Sequence, residues 1–124
     1  MQINTWGEIP FHPTARPWEE MLVSYSERDG PWPQAVLVPL LQHIVQAGYA
    51  KRLFGYTHRA GLFVTNYPNI VHGKDELAVL PVPPRSSVRF EYSASPLAPV
   101  EFAREYPPDQ LIEKFDSFVA MVRW

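Results

Sequence analysis

The sequence predicts an α+β fold: a single domain over 1–124 in the order α-α-β-β-β-β-α, with helices on one face of a mainly antiparallel four-stranded sheet. Three observations predict it. Fourteen prolines in 124 residues leave uninterrupted windows between Pro39 and Pro68, Pro68 and Pro81, Pro84 and Pro96, and after Pro108. Proline fixes φ and has no N–H to donate, so regular elements belong in those windows. Apolar side chains recur at helical spacing near both ends of the chain, and between them lie short aromatic and β-branched runs joined by short links.

Residues 1–13 read as an irregular arm, broken by Gly7, Pro10 and Pro13, whose Trp6, Ile9 and Phe11 lie over the core. The first helix starts at Pro17, which suits a first helical position. Glu19 and Glu20 follow, where acids complement the helix dipole. Trp18, Met21, Leu22 and Tyr25 share one face, and Asp29-Gly30-Pro31 ends the helix. The second helix falls within 34–50, which carries no charged residue and is apolar around most of its circumference, so it reads as buried. Pro39 either starts or kinks it, and Gly48 stops it.

Residues 53–57 and 62–67, linked by His58-Arg59-Ala60-Gly61, read as a β-hairpin, with Gly55 marking a bulge or a close approach. Residues 77–82 and 87–92 give the third and fourth strands. In the fourth, Val88, Phe90 and Tyr92 alternate with Arg89 and Glu91, so one face is buried and one is wet. Pro81 places the end of the third strand at an edge. Residues 93–106 read as a loop with a short extended piece at 100–103. The last helix starts at Pro108 or Asp109, and Leu111, Ile112, Phe115, Phe118, Val119 and Val122 form one stripe along it, while Trp124 falls off that stripe. The pattern resembles, loosely, small bacterial proteins of mixed α/β type, a likeness that implies no site.

Composition narrows the function classes. Without cysteine, disulfides, thiolate metal sites and a cysteine nucleophile are excluded, and a cytoplasmic location is expected. Residues 1–11 hold no signal-peptide pattern, and no apolar run reaches the ~20 residues of a membrane span. A formal charge of −2 argues against nucleic acid as a partner. The charges are segregated, however: between Asp29 and Asp75 every charged residue is basic, namely Lys51, Arg52, Arg59 and Lys74.

No nucleotide-loop, zinc-protease, nucleophile-elbow or EF-hand motif occurs, and no cofactor is expected. Glu19 and Glu20 point about 100° apart on a helix and form no dyad. Asp75 and Glu76 read as solvated acids at the start of a strand. Ser86, Ser87, Ser93 and Ser95 read as turn residues, and His12 as a loop residue. Arginine and tyrosine are favoured at interface hot spots, so Arg52, Tyr56, His58, Arg59, Asn66 and Tyr67, all on or beside the hairpin, make the candidate binding surface. Trp32 is either an exposed anchor or folded onto the helix junction.

The expected function is therefore a non-catalytic, immunity- or adaptor-like module that binds another protein. One alternative is a small enzyme or small-molecule binder with a pocket between helices and sheet, using His43 and Glu91 with Tyr56 and His58. Another is a homo-oligomer built through a sheet edge or the helix around Trp124. A metal site from His58, His72 and Asp75 is the minor option.

Overall fold

The computed structural model describes residues 12–27, 33–83, 85–96 and 98–124. The anchors Trp6, Ile9 and Phe11 and the loop residue Trp32 lie outside the described residues. Helix α1 spans Trp18–Ser26, α2 Val38–Gln46 and α3 Leu111–Val122. The strands are β1 Phe54–His58, β2 Gly61–Thr65, β3 Glu76–Val82, β4 Ser87–Ser93 and β5 Phe102–Tyr106. They form one antiparallel meander in the order β1-β2-β3-β4-β5.

The sheet has five strands rather than the expected four. The segment read as a loop forms β5 at the edge, pairing with β4 from Val88↔Tyr106 to Tyr92↔Phe102. An edge strand needs only one apolar face. In β5, Phe102 and Tyr106 pack on the core while Arg104 and Glu105 stay exposed, so the apolar signal is thin.

Helix α1 buries Trp18, Met21 and Tyr25 from its expected face. Pro17 precedes the helix in extended conformation (φ −58°, ψ 136°) and acts as its cap residue. The second helix is not apolar-buried all round. A 3-10 turn over Pro33–Leu37 leads into α2 with Pro39 in its first turn, and Leu37, Leu40, Leu41 and Ile44 face the core while Gln42 and Gln46 face water. Gly48 follows with φ 87°, a left-handed turn that glycine adopts without steric cost. Past α3, Arg123 takes φ 61° and turns the chain so that the Trp124 N–H donates to the Val119 carbonyl. The Trp124 ring then packs on Phe118 and Tyr92.

Strand alternation divides the sheet into two faces. Leu62 and Val64 of β2, Leu77 and Val79 of β3, and Val88 and Phe90 of β4 join the helices in the main core. Gly55 also faces the helices: a Cβ there would come within 2.7 Å of the Trp18 ring and 2.9 Å of the Phe63 carbonyl, so this is the close approach. Tyr56, Phe63, Ala78, Leu80, Arg89 and Glu91 point the other way. Among the described residues no helix covers this open face. At the end of β3, pairing with β2 stops at Val79 whereas pairing with β4 runs to Val82, so Pro81 sits on a local edge inside the sheet.

Candidate functional site

The open face carries a second, smaller apolar cluster of Tyr56, Phe63 and Ile70, flanked by Ala15, Phe54, Ala78 and Leu80. Tyr56 and Phe63 are cross-strand partners, and their rings stack with centroids 5.0 Å apart. The loop 66–75 folds over this cluster and brings Ile70 and His72 onto it. Several bonds tie the loop down. The Tyr67 hydroxyl donates to the Lys74 carbonyl, the Thr65 hydroxyl to the Asp75 carbonyl (2.8 Å), and the Asp75 N–H to the Ala94 carbonyl (3.1 Å). The Tyr92 hydroxyl reaches through from the helical side to donate to Asp75 Oδ1 at 2.6 Å.

These ties place three polar side chains together. The Tyr56 hydroxyl is 2.6 Å from His72 Nδ1. His72 Nδ1 is 3.4 Å from Glu76 Oε1, which also accepts the Gly73 N–H at 2.8 Å. Gly73 has φ 82°, which lets the loop aim that N–H inward. Glu76 is only 3% exposed, and its Oε2 has no hydrogen-bond partner among the described residues.

Burial dominates the electrostatics. It pushes the Glu76 carboxyl above the usual carboxylate range, against the Gly73 N–H and Tyr56 O–H, which hold it down. It pushes the His72 imidazole down, toward the neutral form. The Tyr56 phenol is raised, first by burial and then by the Glu76 charge, so it keeps its proton. That single proton serves either neighbour. Given to Glu76, it leaves the phenol oxygen to accept from Nδ1–H; given to Nδ1, it leaves the ring hydrogen on Nε2.

Beside this trio lies a cleft of about 290 Å³. Phe63, Ala78 and Leu80 form its apolar floor, Glu76, Glu91 and Ser93 one flank, and His58, Arg59, His72 and Gly73 the rim. Ala78 sits between Phe63 and Glu91 across the strands, and its short side chain leaves the floor low. Arg59, first of the two hairpin-loop residues, has φ 57°, and Asp75, immediately before Glu76, has φ 47°. Left-handed backbone at a non-glycine residue costs roughly 1–2 kcal/mol, and two such residues border this cleft.

The structure gathers Tyr56, His58 and Arg59 of the expected surface on the open face, with Asn66 and Tyr67 starting the covering loop. Arg52 does not join them. Its guanidinium lies 4.8 Å from the Tyr49 ring centre, and Tyr49 packs on the main core. His43 and Glu91 lie on opposite sides of the sheet. His43 Nε2 is 2.8 Å from Asp116 Oδ1 of α3, to which the Tyr49 hydroxyl also donates at 2.8 Å, whereas Glu91 pairs with Arg89 on the open face. Between helices and sheet, the centre is filled by Met21, Leu41, Phe90 and Phe115.

Among the described residues no three histidine or acidic side chains stand together as metal ligands, and Asp75 is turned to Tyr92. Nor, among the described residues, is any helix long and apolar enough to cross a membrane. Glu76 is the residue that sequence reading missed. Taken as a solvated acid at a strand start, it is buried, because it alternates in phase with Ala78 and Leu80 beneath the covering loop. An acid in register with an apolar stripe was the available signal.

No known protein family, curated protein or solved structure matches this chain.

Proposed function

We propose that this protein is a non-catalytic binding module whose open sheet face receives another protein, anchored by one side chain of that partner in the cleft. The observation that carries this reading is the Glu76 carboxyl: buried, with one oxygen unpartnered among the described residues, and bounding a cavity on a face that no described helix covers. A buried polar atom left without a partner costs about 1–3 kcal/mol, and a donor seated in the cleft recovers that cost. Size favours a side chain over a cofactor. At about 290 Å³ the cleft falls at or below the ~300–1,000 Å³ of typical small-molecule pockets. Hot-spot side chains dock in small, desolvated pockets ringed by polar groups, and Phe63, Ala78 and Leu80 supply the apolar floor.

The test fills the cleft. Ala78→Trp, checked for an unchanged melting temperature, is compared with wild type and with Val23→Glu on the exposed side of α1 for capture of partners from native lysate. A protein held by wild type and Val23→Glu but released by Ala78→Trp is the expected result. Should Ala78→Trp lower the melting temperature, Ser93→Tyr on the cleft flank replaces it. Partners retained by the filled variant reject the surface.

A further inference from the structure

Resting on that reading, we infer that the side chain taken by the cleft is cationic and planar, an arginine guanidinium presented by the partner, with Glu76 as its principal acceptor. Guanidinium offers a fork of N–H donors matched to carboxylates, and its flat face stacks on aromatic rings. The cleft offers both complements. Glu76 Oε2 lacks a donor among the described residues, the Glu91 carboxylate and the Ser93 hydroxyl stand on the same flank, and Phe63 lies in the floor. Across the strands Glu76 pairs with Ser93 and Ala78 with Glu91, so the two acids flank the short Ala78 side chain on adjacent strands.

The other charged groups facing the cleft weigh less. Arg89 is already paired with Glu91. Arg59 and His58 are exposed at the hairpin end, where solvent screens charge–charge interactions. His72 is shifted toward neutrality by its burial. Glu76 is held away from bulk water, and there a charge pair is worth several-fold more than at the surface. A guanidinium also resolves the conflict at Glu76, because its charge favours the ionised carboxyl that burial disfavours. Binding therefore strengthens as pH rises above about 4.5, the ordinary carboxyl value, while Glu76 ionises.

The probe is N-acetylarginine amide, with the isosteric neutral N-acetylcitrulline amide as comparator, titrated into the 15N-labelled full chain by NMR. The expected Kd is on the order of millimolar, with amide shifts at Phe63, Gly73, Glu76 and Ala78. Citrulline should bind at least about fivefold more weakly. Glu76→Gln, which keeps the shape of the side chain, should abolish the difference between the two probes. Equal binding of arginine and citrulline, undiminished arginine binding by Glu76→Gln, or shifts confined to other surfaces each overturn the inference. If Ala78→Trp releases a partner yet the arginine probe leaves the cleft amides unmoved, the docking surface stands and the cationic anchor falls. If Ala78→Trp retains every partner, the surface itself is rejected.

Discussion

The Tyr56 hydroxyl lies 2.6 Å from His72 Nδ1 and so joins the first hairpin to the loop that folds across it. The two residues are 16 positions apart in the chain, and His72 lines the cleft. With Tyr56 stacked on Phe63 and His72 edge-on to the same ring at 5.5 Å, one aromatic cluster holds strand, strand and loop together.

Removing that hydroxyl isolates its contribution. Tyr56→Phe keeps the stacked ring and leaves His72 Nδ1 and Glu76 without the phenol. A lost hydrogen bond with a buried partner costs about 1–2 kcal/mol, so the urea midpoint should fall accordingly. Hydrogen exchange at the Gly73 amide should accelerate more than at β4. A midpoint equal to wild type would show that the phenol contributes nothing to stability.

Glu76 and His72 give opposite pH dependences. The Glu76 pKa is raised in the folded state, so between about 4.5 and that higher value the folded chain holds more protons and stability falls as pH rises. The His72 pKa is lowered, so the unfolded chain holds more protons between that lower value and about 6.5, and stability grows as pH rises through that window. Glu76→Gln removes the first contribution and keeps an acceptor for the Gly73 N–H. The variant should gain about 1 kcal/mol over wild type at pH 8, with the gap closing toward pH 4. Paired urea melts at the two pH values measure it; a gap independent of pH refutes the assignment.

At Arg59 a long side chain occupies a backbone conformation suited to glycine. Arg59→Gly should relieve the left-handed strain and stabilise the fold by about 1 kcal/mol, less the backbone entropy glycine adds to the unfolded chain. For a domain of this size that raises the melting temperature by roughly 3–6 °C. Calorimetry reads it directly, and a lower melting temperature would mean that the Arg59 side chain contributes more to stability than its backbone costs.

Gly55 is constrained from the helical side. Its absent Cβ is replaced by the edge of the Trp18 ring, which is itself fixed by an indole N–H bond to the Leu53 carbonyl at 2.9 Å. Gly55→Ala should cost about 1–3 kcal/mol through overpacking. The loss should shrink in a Trp18→Phe background, where the smaller ring makes room. Additive losses in a double-mutant cycle would contradict the direct contact.

Much of the architecture was legible in local pattern. Met21 and Tyr25 on α1, Phe115 and Val119 on α3, and the Val88/Phe90 alternation in β4 each announce a face, because helical and strand periods differ. What escaped depended on tertiary partners. β5 is held by pairing with β4, and Arg104 and Glu105 are solvated, so only a short extended piece at 100–103 shows within a segment that reads as loop. Nothing next to Glu76 in the chain reveals that the loop returns to cover it, and the Tyr56–His72 contact depends on long-range ties of that loop, such as the bond from Tyr92 to Asp75. His43 and Glu91 seemed to share a pocket because sequence does not tell which face of a sheet the helices choose.

The meander has a kinetic corollary. Every strand pairs with its neighbour in the chain, from β1 with β2 through β4 with β5, so no pairing waits for a distant segment to arrive. Low contact order of this kind speeds folding, since little loop entropy is lost before each new ladder forms. The two-residue link at 59–60 makes the β1–β2 ribbon the natural nucleus, and the remaining strands zip onto it in order of synthesis. The carboxyl of Glu76 is then sequestered when the second ladder closes, because that ladder brings the loop 66–75 back over it.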